Sequence, residues 1–150
     1  MGASMDSEIL RQLFSDYLEG CVVLKENNID DEPAKELLAA CDRVREMLAA
    51  LPPLSLTADG RIREWMEDYE EVEPGHRHIS HLFALHPGRQ ISEQDNKLFR
   101  AARRTLEYRL ANGGGHTGWS CAWIACFWAR LKDGEQVWST IRKMLGQCIK

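Results

Sequence analysis

The sequence predicts a mainly all-α chain, one arc of an α/α toroid or solenoid. Two observations carry this. Apolar residues recur at three- and four-residue spacings along most of the chain, and one helix, apolar nearly all round, lies between two amphipathic neighbours. A third bounds it: 150 residues, 44% hydrophobic and 28% charged, suit a single helical domain spanning 1–150.

From about Asp6 to Leu24, Ile9, Leu10, Leu13, Phe14, Tyr17, Leu18 and Cys21 form an amphipathic stripe. Asp30 or Asp31 caps a second helix, with Pro33 in its first turn, where a missing N–H costs nothing. Its apolar set is Leu37, Leu38, Cys41, Val44, Met47 and Leu48, and Pro52-Pro53 stops it. Residues 54–65 then alternate in period two around Asp59-Gly60, the pattern of a small β-hairpin. An acidic run from Glu67 to Glu73, with Pro74-Gly75, forms a loop.

A short helix is expected from about Ile79 to Leu85, ended by His86-Pro87-Gly88. Ser92 is the expected cap of a longer helix through Leu110, with Leu98, Ala101, Ala102, Thr105 and Leu106 on one face. Asn112 to Gly115 breaks it. Next comes the apolar helix from Trp119 to about Leu131, which needs cover on most sides. A turn at Asp133-Gly134 leads to a last helix from Glu135 to about residue 149. The total is about six helices in antiparallel pairs, enough to close roughly half of a twelve-helix ring.

Composition removes several function classes. The net charge is −4 and no Lys/Arg stripe stands clear of acidic neighbours, so nucleic acid is not an expected partner. No apolar run approaches the roughly 20 residues that cross a bilayer, so no membrane span is expected. Residues 1–4 have neither the basic start nor the apolar stretch of a signal peptide, and read as a cloning scar before Met5. Cysteines stand at 21, 41, 121, 126 and 148, an odd set without CxxC spacing. Cys41, Cys121 and Cys126 read as small core residues, the chain as reduced, and a cytoplasmic location is favoured.

Two segments carry polar chemistry. In Glu73 to His81, three histidines and Arg77 follow a Pro-Gly opening at a helix entry, where free N–H groups meet a hydroxylated or anionic ligand. A metal site of His76, His78 and His81 is an alternative that lacks the usual carboxylate or Cys ligands. A plain helix N-terminus is another. The second segment is Gly113 to Ser120. Its glycines allow unusual backbone, and Thr117 can cap the helix that follows. Trp119, beside His116, suits either stacking on a sugar ring or core packing, whereas Trp123 and Trp128 read as core. The acidic run reads as a charged loop rather than a glycosidase acid/base pair.

Several blocks, in order, resemble glycoside hydrolase family 95, the α-L-fucosidase family. They are Leu51-Pro-Pro-Leu54; Glu64-Trp65 with Asp68-Tyr69-Glu70; Glu73-Pro-Gly-His-Arg-His-Ile-Ser-His-Leu82; Pro87-Gly88; Thr117-Gly-Trp-Ser120; Ala122-Trp123; and Trp128-Ala-Arg-Leu to Asp133-Gly134. The resemblance runs from about Met5 to Leu145. It implies a central slice of an (α/α)6 barrel that in the family is flanked by β domains. It also implies inverting removal of α-L-fucose, typically 1,2-linked, or of α-L-galactose, with no metal and no organic cofactor.

By the same resemblance Arg77 and His78 belong to the sugar pocket. With His76, His116 and Trp119 from the two polar segments they make the expected substrate-binding set. The family's acid Glu and Asn pair map upstream of this region, and its activating Asp maps just after Lys150. No catalytic residue is therefore expected in this chain. Partners follow: a fucosylated oligosaccharide or polysaccharide, and the remaining barrel segments or a second copy against exposed apolar faces. A non-catalytic helical module binding glycan or protein is the alternative.

Overall fold

A computed structural model describes residues 3–67 and 69–148. Met1 and Gly2 of the expected scar, Asp68 of the acidic run and the last residues of the final helix lie outside these. The helices are α1 (Ser4–Glu26), α2 (Glu32–Ala39), α3 (Cys41–Ala50), α4 (Asn96–Ala111), α5 (Gly118–Arg130) and α6 (Gly134–Cys148), with one 3-10 turn at Ser80–Leu82. The all-α expectation holds. The hairpin shrinks to one antiparallel bridge, Leu56 to Ile62, flanked by Thr57 N–H to Arg61 O and Arg63 N–H to Ser55 O, each 2.9 Å.

Local chemistry accounts for where the boundaries depart from expectation. The second helix is two. Tyr17 Oη donates to the Leu37 carbonyl at 2.6 Å, and the Cys21 and Cys41 thiols sit 3.9 and 3.8 Å from the same oxygen. The Leu37 carbonyl also accepts the Ala40 N–H at 3.3 Å, a three-residue bond that tightens the last turn, and α2 ends at Ala39. Asp95, not Ser92, caps α4, accepting the Lys97 and Leu98 N–H groups at 3.1 and 3.0 Å. The short helix after Ile79 amounts to the single 3-10 turn. The turn before α6 sits one residue early. Lys132 takes φ 58°, Asp133 N–H reaches back to Trp128 O at 3.0 Å, and Gly134 already belongs to α6.

The core lies where the 79–91 segment, α4 and α5 meet. Ile79, Leu82, Leu85, Ile91, Leu106 and Phe127 are its buried centre. α6 folds back along α5. Even so, α5 is not covered all round: Trp119, Ala122 and Ala129 are exposed while Cys121, Ile124 and Trp128 are buried. The stripe on α1 is also half covered, Leu13 remaining 57% exposed.

One buried group does not fit the apolar pattern. Glu8 on α1 is 1% exposed, and its Oε2 accepts the Ala84 N–H at 2.8 Å. The Gln90 amide donates to the Glu8 carbonyl at 2.7 Å, and the Arg89 N–H to Gln12 Oε1 at 2.9 Å. These contacts dock α1 on the 84–90 segment. Burial pushes the Glu8 carboxyl up from 4.5 to about 8, against the smaller lowering effect of the Ala84 and Ser4 hydrogen bonds.

A carboxyl raised on folding keeps a proton that the unfolded chain loses, so its contribution is complete below the unfolded pKa and is lost as pH rises toward 8. Glu8→Gln therefore melts close to the parent at pH 5 and progressively above it by pH 8. Parallel pH profiles for the two proteins, in thermal melts, would contradict this.

Candidate functional site

The site begins with a tight turn. Pro74 and Gly75 let the His76 N–H reach the Glu73 carbonyl at 3.0 Å, and His78 N–H donates to His76 Nδ1 at 3.3 Å. The two imidazoles meet edge to face, centroids 5.0 Å apart at 87°. Arg77 and His78 are exposed, and His76 is half-buried.

This turn rests on the start of α5. Thr117 caps that helix as expected, accepting the Ser120 N–H at 3.4 Å. Ser120 Oγ lies 2.8 Å from Thr117 Oγ1 and donates to the Arg77 carbonyl at 3.0 Å. A Cβ on Gly75 would stand 1.9 Å from the Asn112 carbonyl oxygen. Gly115 holds φ 76°, in the left-handed region where side chains are strained. Its carbonyl accepts from Lys143 Nζ on α6 at 3.0 Å. His116 Nδ1 lies 3.2 Å from Gly113 O, and Trp119 is 71% exposed, 6.4 Å from Trp123. The structure thus brings together the segments bearing Arg77, His78, His76, His116 and Trp119, joined through the Arg77 backbone. Trp123 and Trp128 pack as expected, the Trp123 indole donating to His86 O at 3.0 Å.

Beneath the turn lies a charged layer. Arg109 on α4 is 3% exposed. Its Nη2 meets Glu64 Oε2 at 2.5 Å, and its Nη1 donates to the carbonyls of Glu73 and Pro74 at 3.2 and 3.3 Å. Glu71 Oε2 stands 3.9 Å from Arg109 Nη2, while Glu71 Oε1 takes Arg61 at 2.6 Å. Ser80 Oγ donates to Glu64 Oε1 at 3.2 Å, and buried His81 places Nδ1 3.7 Å from that oxygen.

Burial works against a charge on Glu64, but His81, Arg109 and Ser80 outweigh it and hold the carboxyl down to about 2. Burial pushes the His81 imidazole down despite Glu64 beside it. His81 therefore faces this layer while His76 and His78 stand in the turn. Among the described residues no three His, Cys, Asp or Glu side chains converge on a metal-sized space.

The family model described as Glycosyl hydrolase family 95 catalytic domain matches residues 1–149. The chain belongs to this family. It is 37% identical over 140 residues to Alpha-L-fucosidase 2 of Arabidopsis thaliana, covering 93% of this chain and 15% of that protein. It is 26% identical over 144 residues to Probable alpha-fucosidase A of Aspergillus niger, covering 93% of this chain and 17% of that one. A protein of the same name from Aspergillus oryzae is 25% identical over 158 residues, 99% of this chain and 21% of that protein. The chain thus spans less than a quarter of the length of these curated relatives.

Within this family 95 segment, sequence reading left Arg109 out of the site, kept Glu71 in a charged loop, and gave Ser120 no role within its polar segment. One signal was available. Arg109 continues the apolar stripe Leu98, Ala102, Thr105 and Leu106 at helical spacing, and a cation on a buried face needs a buried partner. Ser120 carried no such signal, since serine at a helix start is commonplace.

The close approach at Gly75 gives a test. Gly75→Ala should destabilise the chain by about 1–3 kcal/mol, as overpacking against backbone does. Gly118→Ala, where nothing lies within 4 Å of the added carbon, serves as control. Equal melting temperatures for the two variants would rule out the tight contact.

Proposed function

We propose that the complete protein hydrolyses α-L-fucosides, and that this segment supplies part of the sugar pocket rather than the acid and base. The carrying observation is the exposed Arg77-His78 step on a turn whose backbone is tied to Ser120 and Arg109. A guanidinium and an imidazole borne on a backbone tied at both ends suit the hydroxyl pattern of one sugar ring, because a preformed turn loses little entropy on binding. His76, His116 and the exposed Trp119 extend that surface, Trp119 offering an aromatic face for a ring.

The division of labour has a physical basis. A general acid must hold its proton near neutral pH. Glu64, held down to about 2 beside Arg109, is ionised there. Inverting hydrolysis places a second carboxylate, roughly 6.5–9.5 Å from the acid, to activate water. Glu71 is committed to Arg61. The alpha-fucosidase names of the three relatives support fucose as the sugar, and that of the Arabidopsis thaliana protein its L form. The 1,2 linkage, inversion and tolerance of α-L-galactose rest on the family resemblance of the motif blocks. The uncovered apolar faces at Leu13 and Trp138 suit the remaining helices of a barrel.

The test is release of free fucose from a 1,2-fucosylated oligosaccharide, alongside calorimetric binding of L-fucose. The chain is expected to bind fucose without turnover, and Arg77→Ala to weaken binding about tenfold or more, roughly 1.4 kcal/mol. Unchanged binding in Arg77→Ala would remove the pocket. Turnover that Arg77→Ala abolishes would place a complete acid/base set within these residues and overturn the division of labour.

A further inference from the structure

We propose that Arg109 is the positioning residue of the sugar-facing turn: its guanidinium, clamped by Glu64, grips the Glu73 and Pro74 carbonyls and so sets where Arg77 and His78 stand. The sugar role of those two residues rests on the reading above. The clamp itself rests on geometry alone.

Three features separate this contact from an ordinary buried ion pair. First, Arg109 uses both terminal nitrogens at once. Nη2 is held by a carboxylate at 2.5 Å, and Nη1 is shared by two consecutive carbonyls at 3.2 and 3.3 Å. Only a planar fork delivers donors in both directions; an ammonium is a point charge with a shorter reach. Second, the carbonyls it grips belong to the two residues before Gly75, where the chain reverses into His76. Neither lies in a helix or strand: the Glu73 carbonyl accepts from both the His76 N–H and Arg109, and the Pro74 carbonyl accepts from Arg109. Third, the far side of the turn is closed by Ser120 on the Arg77 carbonyl and by the Asn112 carbonyl against Gly75. The turn is therefore gripped at both ends. Arg109 comes from α4, the other holds come from the 112–120 stretch, and the exposed Arg77 and His78 side chains lie between them.

The ionic surroundings favour the same role. Arg109 is 3% exposed and faces Glu64, with Glu71 at 3.9 Å, so its charge is compensated from beneath the turn while the turn itself offers only neutral carbonyls. Breaking such a buried pair leaves an uncompensated charge. Arg109→Lys is consequently the informative change: it keeps the charge beside Glu64 but cannot serve Glu64 and both carbonyls together.

The experiment compares the parent chain, Arg109→Lys and Arg77→Ala by thermal melting, by calorimetric binding of L-fucose, and by ring proton NMR of His76, His78 and His86. The edge-to-face contact of His76 and His78 makes their signals a direct reading of turn conformation. His86, whose carbonyl is bound by Trp123, serves as a reference elsewhere in the fold. Arg109→Lys is expected to melt cooperatively, leave His86 in place, shift His76 and His78, and weaken fucose binding about tenfold, to the level of Arg77→Ala. A folded Arg109→Lys with parental histidine signals and parental affinity overturns the proposal. If the parent binds no fucose yet Arg109→Lys shifts His76 and His78, the clamp stands and the sugar reading falls. Should Arg109→Lys fail to fold, Glu64→Gln preserves shape while releasing Nη2. It must then shift the same two signals in the same direction, and its failure to do so overturns the clamp.

Discussion

The contact between Glu64 and Arg109 joins parts of the chain that share no regular secondary structure. Glu64 follows the one-bridge hairpin, Arg109 lies near the end of α4, and Glu73 and Pro74 open the polar turn. No sheet ladder spans these segments among the described residues, so backbone pairing cannot hold them in register. Side-chain contacts do so instead: the buried guanidinium on Glu64, Thr105 Oγ1 accepting the Ile62 N–H one turn earlier in α4, and Ser80 completing the Glu64 carboxylate from the 3-10 turn. Such pairs contribute modestly to net stability because desolvation opposes the attraction. Their directionality is what this arrangement uses.

Around that contact the hydrophobic core is lopsided. Its centre lies between the 79–91 segment, α4 and α5, while large apolar side chains on α1, α5 and α6 remain open to solvent. A helix apolar on nearly every side requires neighbours on nearly every side, and α5 has them on only part of its circumference. This agrees with a family 95 segment that is a small fraction of its relatives' length. The polar turn sits beside that open face, with Trp119 at the junction.

Much of this was legible in the chain. The helices and the Thr117 cap follow from periodicity and capping chemistry, which act within a few residues. The family follows from ordered blocks such as the His76-Arg77-His78 step. Other features were not legible, and the reasons are specific. The break between α2 and α3 at Ala40 adjoins a carbonyl, that of Leu37, which also accepts from Tyr17, a residue distant in sequence. The cap of α4 is Asp95 rather than Ser92 because two polar candidates three residues apart compete and only the path of the chain selects one. Glu8 reads as one more acidic residue near a helix start until the 84–90 segment closes over it.

The sequence by itself determined the helical class, the family and the two polar segments at 73–81 and 113–120, because these depend on side-chain chemistry at local spacing. The tertiary structure alone decided that Arg109 faces Glu64 and the Glu73-Pro74 carbonyls, that Ser120 holds Arg77, and that Glu8 keeps a proton toward pH 8. Each is set by which distant segments exclude water from one another, and no local pattern encodes that.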